Sequence, residues 1–136
     1  MAPNGILETV LYTQDLAAAE AFYREVLGLE VTARVPERHV FFRCGNQMLL
    51  LFNPDVTSKT QIVNGQFFPT HGATGPGHLC FRATSDEIDA WKVRLADHGV
   101  AIESEVAWPN GGRSIYFRDP AGNSLEFAEP RIWGLE

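Results

Sequence analysis

Cysteine is scarce: Cys44 and Cys80 are the only two in 136 residues. That is too few for a disulfide framework or a thiolate zinc site. Positive charge is scarce as well, with 11 Lys and Arg against 17 Asp and Glu and a formal net charge of −6. The basic residues are scattered, so the basic face that a nucleic-acid surface needs is missing. No apolar run approaches the roughly 20 residues that span a bilayer. The opening MAPNGILETVLYTQDL has no basic leader and carries Glu8 inside its apolar run, unlike a secretory signal. These absences lead to the expectation of a cytoplasmic protein with neither nucleic acid nor membrane as partner. What is present is ordinary for a globular chain, 45% apolar and 21% charged, and long enough to bury one domain's core.

Alternation and punctuation organise the chain. ILETVLYT reads as a strand, with Leu7, Thr9 and Leu11 on one face and Glu8, Val10 and Tyr12 on the other. Asp15 is a good N-cap for the Ala-rich LAAAEAFYREVL, whose Leu16, Ala19, Phe22, Tyr23, Val26 and Leu27 form one stripe. Gly28 follows as the expected C′ residue. LEVTARV is then a strand, and HVFFRCGNQMLLLF a hairpin turning near Gly45-Asn46. After a Gly-, Pro-, Ser- and Thr-rich stretch without clear period, the order repeats. GHLCFRA is a strand with His78, Cys80 and Arg82 opposite Leu79 and Phe81. Thr84-Ser85-Asp86-Glu87 is a capping box for a helix carrying Ile88, Trp91 and Leu95, which Gly99 ends. VAIESEV is a strand, and RSIYFRDPAGNSLEFA a hairpin about the turn DPAGN. Glu8 and His78 lie 70 positions apart and Gly28 and Gly99 lie 71 apart, the signature of a duplication. The expected organisation is one domain of two βαβββ modules, about 5–53 and 77–130, joined by a linker or long loop, 54–76. The expected strand total is eight.

Three polar side chains sit opposite apolar neighbours on these strands: Glu8, His78 and Glu126. If the two sheets form one cupped surface, an imidazole and two carboxylates can converge in it and hold a divalent ion. Taken singly, each has an ordinary alternative, a solvated Glu or a hydrogen-bonded structural His. Arg82, Arg113 and Tyr116 are candidates to line the cup and hold an anionic or oxygen-rich substrate, or else half-exposed strand residues. His71, in the linker, can contact substrate or simply be solvated. Cys80 reads as a small buried hydrophobe, and His39 and His98 as facing water.

The phrases D-L-x(5)-F-Y-x(3)-L-G (Asp15 to Gly28), GHL and F-R-D-P-A-G-N-x-L-E make the chain resemble the vicinal oxygen chelate superfamily, also called the glyoxalase/bleomycin-resistance/dioxygenase family. That resemblance implies an α+β fold of paired βαβββ modules forming a cupped mixed sheet around one divalent metal (Mn, Mg, Zn, Fe or Ni). It also implies a small-molecule substrate and a homodimer, often with modules exchanged between chains. By the resemblance, the ligand positions fall on Glu8, where relatives carry His or Gln, on His78 and on Glu126. A fourth ligand, the Glu of glyoxalase I, would fall in QMLLLF, which has no acid, so glyoxalase I itself is disfavoured. The implied activity is that of a lyase, thiol transferase or dioxygenase, with Glu126 and Glu8 as catalytic carboxylates. An extra carboxylate at Glu8 favours harder ions such as Mn²⁺ or Mg²⁺. The alternative from another class is a metal-free protein that binds an antibiotic or other small molecule, as bleomycin-resistance proteins do.

Overall fold

The computed structural model describes all 136 residues, which divide into two compact units, Met1–Gly75 and Pro76–Glu136. The first begins with β1 (Glu8–Tyr12) and α1 (Leu16–Ala21), which runs on as a single π-helical turn, Phe22–Val26. Asp15 caps α1 by accepting from the Ala18 N–H at 3.0 Å. The Leu27 N–H reaches back five residues to the Phe22 carbonyl, and Gly28 takes φ +73°, so the chain leaves the helix in the left-handed region. Next come β2 (Glu30–Val35), β3 (His39–Cys44) and β4 (Gln47–Phe52). The sheet order is β1-β4-β3-β2, with β1 parallel to β4 and the other neighbours antiparallel.

Alternation assigns the faces of this sheet. Val40, Phe42, Leu49 and Leu51 are at most 1% exposed and pack with the buried stripe Ala19, Phe22, Tyr23 and Val26. The Tyr23 and Phe42 rings lie 5.5 Å apart. Each such side chain fully removed from water stabilises the fold by about 1.5–3 kcal/mol. Register puts Glu8, Val10 and Tyr12 on the opposite face, beside Met48, Leu50 and Phe52.

The second unit repeats the plan with β7 (His78–Arg82), α3 (Ser85–Asp97), β8 (Ser104–Ala107), β9 (Arg113–Arg118) and β10 (Ser124–Ala128). Its order, β7-β10-β9-β8, again pairs the first and last strands in parallel. Both bonds of the capping box at Thr84 form, so α3 begins where the sequence places it. Ile88 and Leu95 of α3 are fully buried against Ile115, Phe117 and Leu125, and the Trp91 ring stacks on Phe127 at 4.5 Å. A short 3₁₀ turn, Pro130–Trp133, follows β10.

Three expectations are corrected. The stretch read as a linker or long loop contains a one-turn helix, α2 (Pro54–Thr57), and a hairpin of β5 (Gln61–Val63) and β6 (Gln66–Phe68), so there are ten strands and not eight. The signal was Asn64-Gly65 between Ile62-Val63 and Gln66-Phe67-Phe68: both turn residues take positive φ, the demand of a two-residue hairpin turn. His39 does not face water; it is buried, its ring stacked on Phe41 at 4.0 Å. Cys80 is exposed instead of being a buried hydrophobe, because it alternates with Leu79 and Phe81 on an edge strand whose other face packs inward.

Candidate functional site

The turn DPAGN builds the site. Asp119 is buried, and its Oδ1 accepts the N–H groups of Ala121 at 3.0 Å and Asn123 at 2.9 Å. Its Oδ2 accepts from the Asn123 side-chain amide at 2.9 Å. Gly122 takes φ +85°, which a side chain rarely tolerates. The Asn123 Oδ1 is thereby aimed at β7, where it accepts from the Gly77 N–H at 2.7 Å, while the Ser124 N–H donates to the Gly77 carbonyl at 2.9 Å. The residue before His78 is thus clamped to the turn before β10. The resulting parallel register sets His78 opposite Ser124 and Cys80 opposite Glu126.

That register brings two ligand candidates together. His78 Nδ1 lies 2.9 Å from the Ser124 carbonyl, which only accepts, so Nδ1 carries the proton. Nε2 is then free to present its lone pair, and it lies 3.2 Å from Glu126 Oε2. A lone pair and a carboxylate oxygen at that separation repel unless a cation, either a proton or a metal ion, joins them. The His78 side chain is 53% exposed and that of Glu126 only 8%, so the pair opens to solvent on the histidine side. An imidazole oriented through its second nitrogen by a backbone carbonyl is the arrangement metal-binding histidines use.

Glu126 lies on the central strand β10 and is served from both sides. Tyr116, its cross-strand partner on β9, shares its face; burial and then this negative neighbour push the phenol up. The Tyr116 ring lies 6.3 Å from the His78 ring and nearly parallel to it. Cys80, its cross-strand partner on β7, shares the same face and donates to the Phe81 carbonyl at 3.6 Å. The Cys80 thiol is pushed up to about 12, first by desolvation and then by the Glu126 charge. Although the residue is exposed, its sulfur is partly desolvated, and the adjacent carboxylate acts in the same direction. Cys80 is therefore a neutral S–H donor at neutral pH and no nucleophile.

The remaining candidates make contacts of their own. Arg82 shares the Glu126 face of its sheet, and its guanidinium bonds the Glu136 carbonyl. Arg113 lies on the helix-facing side of β9, where it donates to the Ser85 carbonyl at 2.6 Å and pairs with Asp89 at 2.6 Å. Two residues from Tyr116 would share its face; three residues do not, and the alternation in RSIYFR already said so. Glu8 is exposed at the start of β1 in the first unit. His71, also in the first unit, shares a 2.6 Å hydrogen bond with the Tyr12 hydroxyl and sets its ring edge-on to Phe52 at 4.8 Å. No group of three His, Cys, Asp or Glu side chains is placed to hold a metal ion. Sequence reasoning overlooked Cys80 and Asn123 as parts of the site. The period-2 alternation from His78 was the signal for the first, and the Asx chemistry of the turn for the second.

Comparison with known proteins identifies the family. The family model described as Glyoxalase/Bleomycin resistance protein/Dioxygenase superfamily matches residues 5–127. The chain belongs to that superfamily. The crystal structure of lactoylglutathione lyase from Agrobacterium tumefaciens is similar with a TM-score of 0.92 and 49% identity, over 99% of this chain and 100% of that one. Metallothiol transferase FosB of Shouchella clausii (strain KSM-K16) is 28% identical over 128 residues, 90% of this chain and 78% of that protein. An integron cassette protein from the Halifax Harbour sewage outfall metagenome, 24% identical with a TM-score of 0.73 over 93% of this chain and 99% of that one, shares the fold. The matched stretch includes the residues that build the site: DPAGN clamps β7 to β10, and His78 and Glu126 meet across the join. No helix of the chain is long and apolar enough to cross a membrane.

Proposed function

We propose that this superfamily member is a divalent-metal enzyme acting on a small substrate through two adjacent oxygens, of the lyase or thiol-transferase kind. The observation that carries the reading is the His78–Glu126 pair: an imidazole whose proton is held at Nδ1 turns a lone pair toward a buried carboxylate oxygen 3.2 Å away. Imidazole and carboxylate suit a borderline or hard divalent ion. His78 and Glu126 would be two ligands of that ion; Glu8 is nominated as a third by the family resemblance alone. When bound, the ion would supply Lewis-acid polarisation of the substrate's oxygens. Glu126, or Glu8 from its exposed position, moves the substrate proton. Tyr116, on the face of Glu126, orients an oxygen of the substrate, and Arg82 and His71 are contacts for its distal groups. Arg113 is committed to α3 and is left out of the binding set. The relatives' names, lactoylglutathione lyase and metallothiol transferase, both denote chemistry on a sulfur-bearing compound, so we assign this chain a thiol or thioester as one reactant. The dioxygenase reading rests on the family alone. The working form is a cytoplasmic homodimer; light scattering at the 15.1 kDa monomer mass would count against the dimer.

The test is metal analysis of protein purified without chelator, followed by calorimetry with Mn²⁺, Ni²⁺ and Zn²⁺. Wild type is expected to bind one equivalent. Glu126→Gln and His78→Ala should each weaken binding by at least about tenfold while the metal-free protein keeps its fold. Two variants that keep a full equivalent of metal would overturn the assignment. Thioester formation from glutathione and methylglyoxal, and thiol consumption with an epoxide, then separate lyase from transferase. A metal-free small-molecule binder is the rival, and the lack of a ready group of three ligands is what favours it. Wild-type protein that binds no ion would decide for that rival.

A further inference from the structure

The hairpin of β5 and β6 belongs to neither four-stranded sheet and forms a two-stranded ribbon of its own. The Gln61 side-chain amide ties its base to the Val56, Lys59 and Thr60 carbonyls. A lone two-stranded hairpin is marginal in water. This one also turns large apolar side chains outward on both faces. Pairing sets Ile62 beside Phe67 on one face, where they are 69% and 63% exposed. Val63 and Phe68, on the other face, are 49% and 44% exposed. At about half exposure such a side chain shows roughly 100 Å², so the four together present roughly 400 Å², the size of patch that marks a binding surface.

Charge and area say what covers it. From Thr60 to Gly75 the chain has no Asp, Glu, Lys or Arg, although 21% of all its residues are charged. Loss of charge is the compositional mark of an interface core. A partner selected by charge needs opposite charges to meet, and this ribbon has none. Two copies of the chain, each at −6, repel except where charge is missing, and an apolar ribbon is complementary to itself about a two-fold axis. Apolar atoms make up about 60% of an interface, so 400 Å² of apolar area corresponds to about 700 Å² per partner, near the roughly 800 Å² of a standard interface.

We propose that the β5–β6 ribbon is an arm that docks on a second copy of this chain, each copy giving one arm and receiving one. An arm laid across a partner is covered on both faces, which its two apolar faces require. Ile62 and Phe67, the more exposed pair, are its anchors. The proposal rests on the homodimer reading and deepens it by naming the surface through which the copies meet.

The experiment uses Ile62→Glu and Phe67→Glu, which put a charge on the ribbon at exposed positions, and Val93→Glu on α3, itself 62% exposed, as control. Sedimentation equilibrium over a range of concentrations gives each dimer dissociation constant, and circular dichroism confirms that each variant keeps its fold. Wild type should sediment at twice the 15.1 kDa chain mass. Each ribbon variant should raise the dissociation constant at least about thirtyfold, as loss of an interface anchor does, while Val93→Glu stays within about threefold of wild type. A wild-type dimer that both ribbon variants leave intact, or that Val93→Glu weakens equally, would overturn the arm and leave the homodimer standing. A wild-type monomer would overturn both; if that monomer co-sediments with phosphatidylcholine vesicles and Phe67→Glu does not, the ribbon belongs to a lipid surface instead.

Discussion

Replacing Asn123 by Ala should loosen the join between β7 and β10 more than any exposed substitution in the second unit. Two hydrogen bonds disappear. The Gly77 N–H loses its acceptor at 2.7 Å, and Asp119 Oδ2 loses the amide donor at 2.9 Å. A neutral bond contributes about 1 kcal/mol net and one to a charged group about 1.5–3, so the loss comes to about 3 kcal/mol. Asn123 is only 2% and Asp119 5% exposed, so water replaces the missing donor poorly. With a urea dependence of about 2 kcal/mol per molar, the unfolding midpoint should fall by about 1.5 M. The backbone bond from the Ser124 N–H to the Gly77 carbonyl survives, so the strands should stay paired. His78 should nevertheless be placed less well, and Mn²⁺ affinity should fall along with stability. Asn123→Asp offers an internal check. It keeps the acceptor for Gly77 but puts a second carboxylate against Asp119. Repulsion raises the folded-state pKa of that pair, so the variant's defect is absent at low pH and grows as pH rises through the carboxylate range, about 4 upward. Urea denaturation followed by tryptophan fluorescence at pH 4 and pH 7 measures both. An Asn123→Ala midpoint within about 0.3 M of wild type would refute the idea that this turn clamps the site.

Two further outcomes follow from other parts of the chain. Burial and the Arg38 guanidinium, 2.6 Å from its Nδ1, hold the His39 pKa below the ordinary 6.5. The unfolded chain therefore takes up the proton first, so stability is complete above 6.5 and declines as pH falls toward the lower folded value. His39→Phe should flatten the urea midpoint across that window, and an unchanged slope would remove His39 as its source. Gly112 takes φ +89°, and a Cβ there would stand 2.6 Å from the Ile132 side chain. Gly112→Ala should cost about 1–3 kcal/mol in the same assay, and wild-type stability would show that the Pro130–Trp133 turn gives way freely.

Local chemistry made much of this protein readable before any coordinates. Asp15, Gly28 and the Thr84–Glu87 box mark helix ends because capping depends on residues three or four apart. Period-2 alternation assigned Glu126 and His78 to faces opposite their apolar neighbours, and the repeat from Glu8 to His78 anticipated two sheets of identical order. The hairpin at Asn64-Gly65 was equally local and was legible in principle, since the dipeptide demands the turn it makes. Tertiary structure decided the rest. Burial of His39 depends on stacking with Phe41 and on Phe52 across the strand pair, contacts that no spacing within HVFFRC encodes. Arg113 is drawn to Asp89 of α3, a partner chosen by how the helix lies on the sheet. Above all, the meeting of His78 Nε2 and Glu126 Oε2 spans 48 positions of sequence. It requires the parallel register that the Asn123 amide imposes on Gly77, and a ligand pair made by strand pairing exists only once the strands have paired.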